Sequence, residues 1–245
     1  LSKPTAGAFG GRFAEMLADK LVRIGHAPSV PGTAARAVAD PMPPVRLRSS
    51  GGNRIAVVGI GASTGGLHAL SDLLKHLPAA FAAPILITQH LPPSFMPIFA
   101  TQVQDMAGRP AEVARPGMRL VRGRILVAPG DRHLCVETGG GVPRVRITAE
   151  RAESGCMPSA DPMFASLADS FGPTAVGIVL SGMGRDGARG AERLAAAGGD
   201  ILVQDRDSSV VWGMPGAVAA AGLASAMLPP HAIAEALARR DRIAA

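Results

Sequence analysis

Tyrosine is absent from this chain, tryptophan occurs once, and aromatic residues make up only 3% of its 245 positions. Binding of single-stranded nucleic acid relies on aromatic side chains that stack bases along a basic groove. The formal charge of +6 looks suggestive, but residues 1–50 carry seven of the 25 Lys and Arg against three of the 19 acids. The other 195 residues are nearly neutral and hold no basic run of five to eight residues. No nucleic-acid partner is expected. Cysteine is equally scarce. Cys135 and Cys156 lie 21 residues apart without a His-x3–5-His partner, so they build neither a disulfide framework nor a four-ligand zinc site. No metal and no cofactor are expected, and two cysteines suit a reducing compartment. No apolar stretch approaches the ~20 residues that cross a bilayer, and no charged segment leading into an apolar one opens the chain. Membrane insertion and secretion are not expected. A cytoplasmic protein is.

What is present is a core. Apolar residues are 47% of the chain and charged residues 18%, which excludes bulk disorder. Phe13, Leu17, Leu21 and Ile24 recur at helical spacing, so Gly11–Ile24 reads as an amphipathic helix. Ala27 to Asn53 holds five prolines and three glycines with no period, the composition of a semi-rigid linker. At Arg54 the pattern changes to the apolar run Ile55–Ile60, typical of a strand buried on both faces. Further strands are predicted at Pro84–Thr88, Arg124–Ala128, Ala175–Leu180 and Asp200–Gln204. Helices are predicted at Gly66–His76, Ser94–Ala107, Asp161–Phe171, Asp186–Ala197 and Pro230–Arg239. Leu134–Glu137 and Arg144–Thr148 flank three glycines and read as a hairpin. Alternating strands and helices predict an α/β fold, doubly wound, with a mostly parallel sheet.

Chemistry in such folds gathers at the carboxyl ends of the strands. Gly61-Ala62-Ser63-Thr64-Gly65 has the form G-x-S-x-G at a strand-to-helix turn, where a nucleophilic serine can be exposed. The dinucleotide fingerprint fails because its third glycine would fall on Thr64, and no lysine completes a phosphate loop. A helix N-cap serine is the plainer alternative. His90 leaves an apolar strand and enters Leu91-Pro92-Pro93; of the six histidines it alone does so. Asp186 follows a third apolar strand in Ser181-Gly182-Met183-Gly184-Arg185-Asp186-Gly187, where an N-cap role would also explain it. Asp131, Asp161, Asp205 and Asp207 are rival acids, and spacing alone does not choose among them. A serine needs a base, and the base needs a carboxylate. The order Ser63, His90, Asp186 differs from the Ser, acid, His order of α/β-hydrolases, so that fold is not expected.

Gly61-Ala62-Ser63-Thr64-Gly65-Gly66, Gln89-His90-Leu91-Pro92, Ala128–His133, Pro158-Ser159-Ala160-Asp161, Gly182–Gly187 and Gly213-Met214-Pro215 together resemble the bacterial chemotaxis protein-glutamate methylesterases, the CheB family. The likeness is collinear from about Arg54 onward. It implies that the family's catalytic serine, histidine and aspartate fall on Ser63, His90 and Asp186. It also implies an antiparallel hairpin carried by the parallel sheet, and hydrolysis of methylated glutamate side chains on chemoreceptors, with deamidation of receptor glutamines. The backbone N–H groups of Thr64 and Met183 are the expected oxyanion donors. Arg185 stands where many relatives carry a small or amide residue, and Trp212 where many carry Phe. A non-catalytic receptor-docking domain and a phosphate- or nucleotide-binding module are the alternatives.

The leader has a reading of its own. Leu1-Ser2-Lys3-Pro4 resembles the end of a response-regulator receiver domain, to which these methylesterases are normally fused. Residues 1–53 are then expected to be a receiver remnant, connector helix and linker, and residues 54–245 the methylesterase domain. The expected partners are the cytoplasmic helical region of methyl-accepting receptors, the protein's own receiver domain and, through it, a histidine kinase.

Overall fold

The structure is a computed structural model that describes residues 46–243. The expected connector helix, the Lys3-Pro4 segment and most of the linker lie outside the described residues. Within the linker's last part, residues 46–53 form no regular element but are tied down. Arg48 N–H donates to Ala224 O, its guanidinium reaches Ala195 O, and Ser50 Oγ donates to Asp200.

Seven short apolar runs pair in parallel. They are β1 (Val57–Ala62), β2 (Ile85–Gln89), β3 (Ala111–Val113), β4 (Ile125–Val127), β7 (Ala175–Val179), β8 (Asp200–Gln204) and β9 (Ala226–Leu228). Their spatial order is β3-β4-β2-β1-β7-β8-β9. The chain winds outward from β1 in one direction and then returns to continue from its other edge. The crevice between β1 and β7 is therefore the topological switch point, where ligands bind in open α/β sheets. A separate antiparallel pair, β5 (His133–Gly139) and β6 (Val142–Thr148), forms the expected hairpin.

The helices are α1 (Gly66–His76), α2 (Met96–Ala107), α3 (Ala160–Phe171), α4 (Ala188–Ala196), α5 (Met214–Ala220) and α6 (Pro230–Ile243). Alternation along β1 sends Val58 and Ile60 into one core with Leu70, Leu73, Phe99 and Ile233, beneath α1, α2 and α6. Val57 faces the other core with Phe164, Leu167, Leu194 and Val218, which also takes Leu134 and Val145 of the hairpin. Both faces are covered, which is why the central strands read as continuous apolar runs. Among the described residues no helix is long and apolar enough to cross a membrane.

The differences from the expected elements are local. β1 begins at Val57 and runs to Ala62, because pairing with β2 and β7 holds the segment extended up to the turn. The segment before α2 opens as a 3-10 turn at Pro93–Phe95. The helix expected from Asp186 begins at Ala188, since Gly184 and Gly187 both take positive φ and keep the preceding residues in a loop.

Candidate active site

Ser63, His90 and Asp186 stand just beyond the carboxyl ends of β1, β2 and β7, three adjacent strands. Ala62 pairs with Gln89 in the parallel register, and His90 N–H donates to Ala62 O at 3.1 Å. Ser63 and His90 thus leave their strands side by side. On the other flank Ser63 N–H donates to Ser181 O, at the end of β7.

The turn carrying Ser63 is fixed from several directions. Gly65 takes φ 80° at the N-terminus of α1, and a Cβ there would lie 2.5 Å from Val210 Cβ. No other residue suits that position. Ser63 O accepts from Gly66 N–H at 2.8 Å and from the buried Gln89 side chain at 3.0 Å. The fully buried Ser181 donates through Oγ to Thr64 O at 2.8 Å and accepts from Val211 N–H at 3.0 Å. Ser181 N–H is in turn held by Gln204 Oε1 at 2.7 Å. Ser63 is not the N-cap of α1; Gly65 occupies that place.

Asp186 is almost fully buried, and its carboxylate is saturated with donors. His90 Nε2 lies 2.8 Å from Oδ2, Ala160 N–H donates to Oδ2 at 2.8 Å, and Ser159 Oγ donates to Oδ1 at 2.5 Å. Burial by itself pushes the Asp186 carboxyl upward. The hydrogen bonds from His90, Ala160 and Ser159 override it and hold the group well below the usual carboxylate range, at about 2. The carboxylate also sits at the positive N-terminus of α3, where a negative charge is favoured. An ionised carboxylate only accepts, so Nε2 of His90 carries the proton and Nδ1 keeps its lone pair. The His90 side chain is 18% exposed, whereas that of Asp186 is 1% exposed. Asp186 is therefore not an N-cap of α4.

The rival acids separate clearly. Asp161 does not cap α3, because Ser159 does, accepting from Asp161 N–H at 3.2 Å. Its own carboxylate accepts from Gly190 N–H at 2.8 Å. Asp131 is exposed in a turn beside Arg132, and Asp205 accepts from Ser208 in its own loop. Among the histidines, His133 is buried between Glu150 O and Ser159 N–H, while His68 and His76 are exposed on α1. Within the described residues, the N–H groups of Thr64 and Met183 donate no hydrogen bond. Residue-by-residue reading missed Ser159, Gln89 and Ser181, which position the carboxylate and the serine turn. Their roles are tertiary hydrogen bonds, and the only advance signal was that Pro158-Ser159 and Gln89-His90 recur as motif members.

Such an arrangement can take a proton from a hydroxyl at Nδ1 and stabilise the resulting imidazolium through Nε2. The CheB methylesterase family model matches residues 58–237. A protein-glutamate methylesterase/protein-glutamine glutaminase of Azospirillum brasilense is 39% identical over 251 residues, covering 94% of this chain and 64% of that protein. A second, from Caulobacter vibrioides, is 40% identical over 245 residues, covering 99% and 70%. A third, of the group 2 operon of Rhodospirillum centenum, is 47% identical over 173 residues, covering 71% and 44%. The chain thus spans between 44% and 70% of the length of these relatives. Among solved structures, the CheB methylesterase catalytic domain of Thermotoga maritima superposes with a TM-score of 0.73 at 30% identity, covering 76% of this chain and 99% of that one.

Proposed function

This chain belongs to the CheB methylesterase family, and from that premise we propose that it is a serine hydrolase that removes methyl esters from glutamate side chains. The observation that carries the reading is the buried, ionised Asp186 bonded to His90 beside the turn that presents Ser63. Ser63 Oγ attacks the ester carbonyl while Nδ1 of His90 takes its proton. Asp186 holds the ring and stabilises the imidazolium. Collapse of the tetrahedral intermediate expels the methoxy group, which receives the proton from His90 and leaves as methanol. Water then attacks the glutamyl-enzyme with His90 again as base, freeing Ser63 and a glutamate carboxylate. The N–H groups of Thr64 and Met183 are the oxyanion donors in this scheme, each worth ~3 kcal/mol of barrier. With a glutamine substrate the same steps expel ammonia.

The finer parts belong to the same proposal: chemoreceptors as substrate, a cytoplasmic setting, and control by a receiver domain phosphorylated by a histidine kinase. They are supported by the family and by the resemblance of residues 1–53 to a receiver end and linker. Methanol release from purified methylated receptor tests the core reading. Ser63→Ala and His90→Gln are each expected to lose at least about a thousandfold in turnover, with Asp186→Asn losing least. Near-wild-type hydrolysis by Ser63→Ala would sink the assignment.

A further inference from the structure

Cys156 lies in the loop before α3, partly exposed, with no part in the chemistry above. Its Sγ, a ring nitrogen of His90 and a carboxylate oxygen of Asp186 all lie within 4.8 Å of one another. We propose that these three side chains form a binding site for a thiophilic divalent cation of the Zn2+ type, and that the ion, once bound, silences the hydrolase. Thiolate, imidazole and carboxylate are all zinc ligands, and three protein ligands with one open position is a common zinc arrangement. Spacing along the chain hid the set, because its members come from the end of β2, the α3 approach and the end of β7.

The geometry needs a local adjustment of Cys156: its Sγ, within 4.8 Å of the other two ligand atoms, stands about 3.6 Å from them around a tetrahedral ion. Nε2 of His90 and Oδ2 of Asp186 are 2.8 Å apart with a proton between them. An ion bonded to both at about 2.0–2.1 Å in a tetrahedral array sets such atoms about 3.3 Å apart, a widening of roughly half an ångström. The Cys156 thiol has only a 3.9 Å approach to Ser154 O to give up. Burial pushes this thiol upward, and the carboxylates of Asp186 and Asp161 add to the shift. Those carboxylates favour a dication for the same electrostatic reason. Binding forms the Zn–S bond as the thiol proton leaves to solvent. Whichever ring nitrogen the ion takes, His90 is no longer a base. Through Nδ1 the ion occupies the accepting lone pair, and through Nε2 it sends the ring proton to Nδ1.

Binding stands on geometry alone, whereas silencing rests on the proposed function, so the test reads them separately. The chelator-treated, reduced chain is titrated with Co2+, whose bond to a thiolate gives a charge-transfer band in the near ultraviolet. Zn2+ affinity is measured by calorimetry. Wild type is expected to show the band, and Cys156→Ser to lack it. Cys156→Ser should bind Zn2+ more weakly by at least the roughly tenfold that losing a mere supporting partner costs. Cys135→Ser and His231→Ala should keep the band; the latter disrupts the exposed Asp72, His76 and His231 group, where His and Asp also meet among the described residues. In the methanol assay Zn2+ should inhibit wild type reversibly with chelator, while Cys156→Ser turns over normally and resists. A band or a Zn2+ affinity unchanged in Cys156→Ser overturns the site. Binding through Cys156 without inhibition of an active enzyme overturns the silencing. A chain that binds Co2+ through Cys156 yet releases no methanol overturns the proposed function and leaves the site standing.

Discussion

Asp161 and Asp186 lie close together around the first turn of α3 and are shifted in opposite directions. Burial raises Asp161 to about 6, and the neighbouring negative charge of Asp186 adds to it, against the opposing bond from Gly190 N–H. Between the unfolded carboxylate's range near pH ~4 and about 6, the folded protein holds the extra proton, so Asp161 lowers stability as pH rises through that window. Asp186 acts oppositely: its stabilisation is complete above pH ~4 and is lost as pH falls toward about 2. Asp161→Asn keeps an acceptor for Gly190 N–H and removes the charge. Its stability gain over wild type is expected to be small at pH 4 and to reach roughly 1–2 kcal/mol at pH 7, after allowance for the solvent-facing side. Denaturant melts at the two pH values check this, and an equal gain at both would refute it. Ser159→Ala should leave the fold intact but lower turnover by about tenfold, since Asp186 loses a donor while the reacting atoms stay. At this scale the sequence motifs marked Ser63, His90 and Asp186. Ser181 and Gln204 were illegible, because nothing in a chain reveals which backbone N–H a distant side chain will meet.

Helix α3 approaches β1 closely because β1 carries glycines on that face. A Cβ on Gly61 would stand 2.8 Å from Ala160 Cβ, and one on Gly59 would stand 2.7 Å from a Leu167 methyl. The close approach sets Ser159 and Ala160 against Asp186, so β1 positions the acid as well as the serine. Gly61→Ala should cost about 1–3 kcal/mol of stability and, by pushing the start of α3 outward, reduce turnover as well. Normal kinetics in a destabilised variant would show that the helix shifts elsewhere. Long, strongly patterned elements were legible: α1 and β8 coincide with their expected spans. β3 and β9 were not, being three residues each and half-buried, too short for any period to show. Helix α5 was hidden by the Gly-Met-Pro-Gly start that reads as a turn, yet its proline lies in the first turn, where no N–H is missed.

At the amino end of the sheet, opposite the cleft, Asp200 gathers the periphery of the molecule. Its carboxylate pairs with Arg240 of α6 at 2.8 Å and accepts from Ser50 at 3.0 Å and Ser225 at 2.9 Å. Asp200 is 2% exposed, so Asp200→Asn strips a partly buried guanidinium of its counter-charge. A loss of about 3–5 kcal/mol is expected, with kcat unchanged in the folded fraction. Denaturant midpoints and active-site-titrated rates together check it. The position of β1 between β2 and β7 has one more consequence, and it concerns time. During synthesis β1 and β2 emerge early and can pair, but the other edge of β1 waits for Ala175–Val179. Until then a flat apolar strand offers an open edge, the surface on which nascent chains associate wrongly. The acid arrives later still, 96 positions after the histidine. A ribosome-bound chain therefore carries Ser63 long before Asp186 exists, and the three side chains come together only when the last half of the sheet has joined the first.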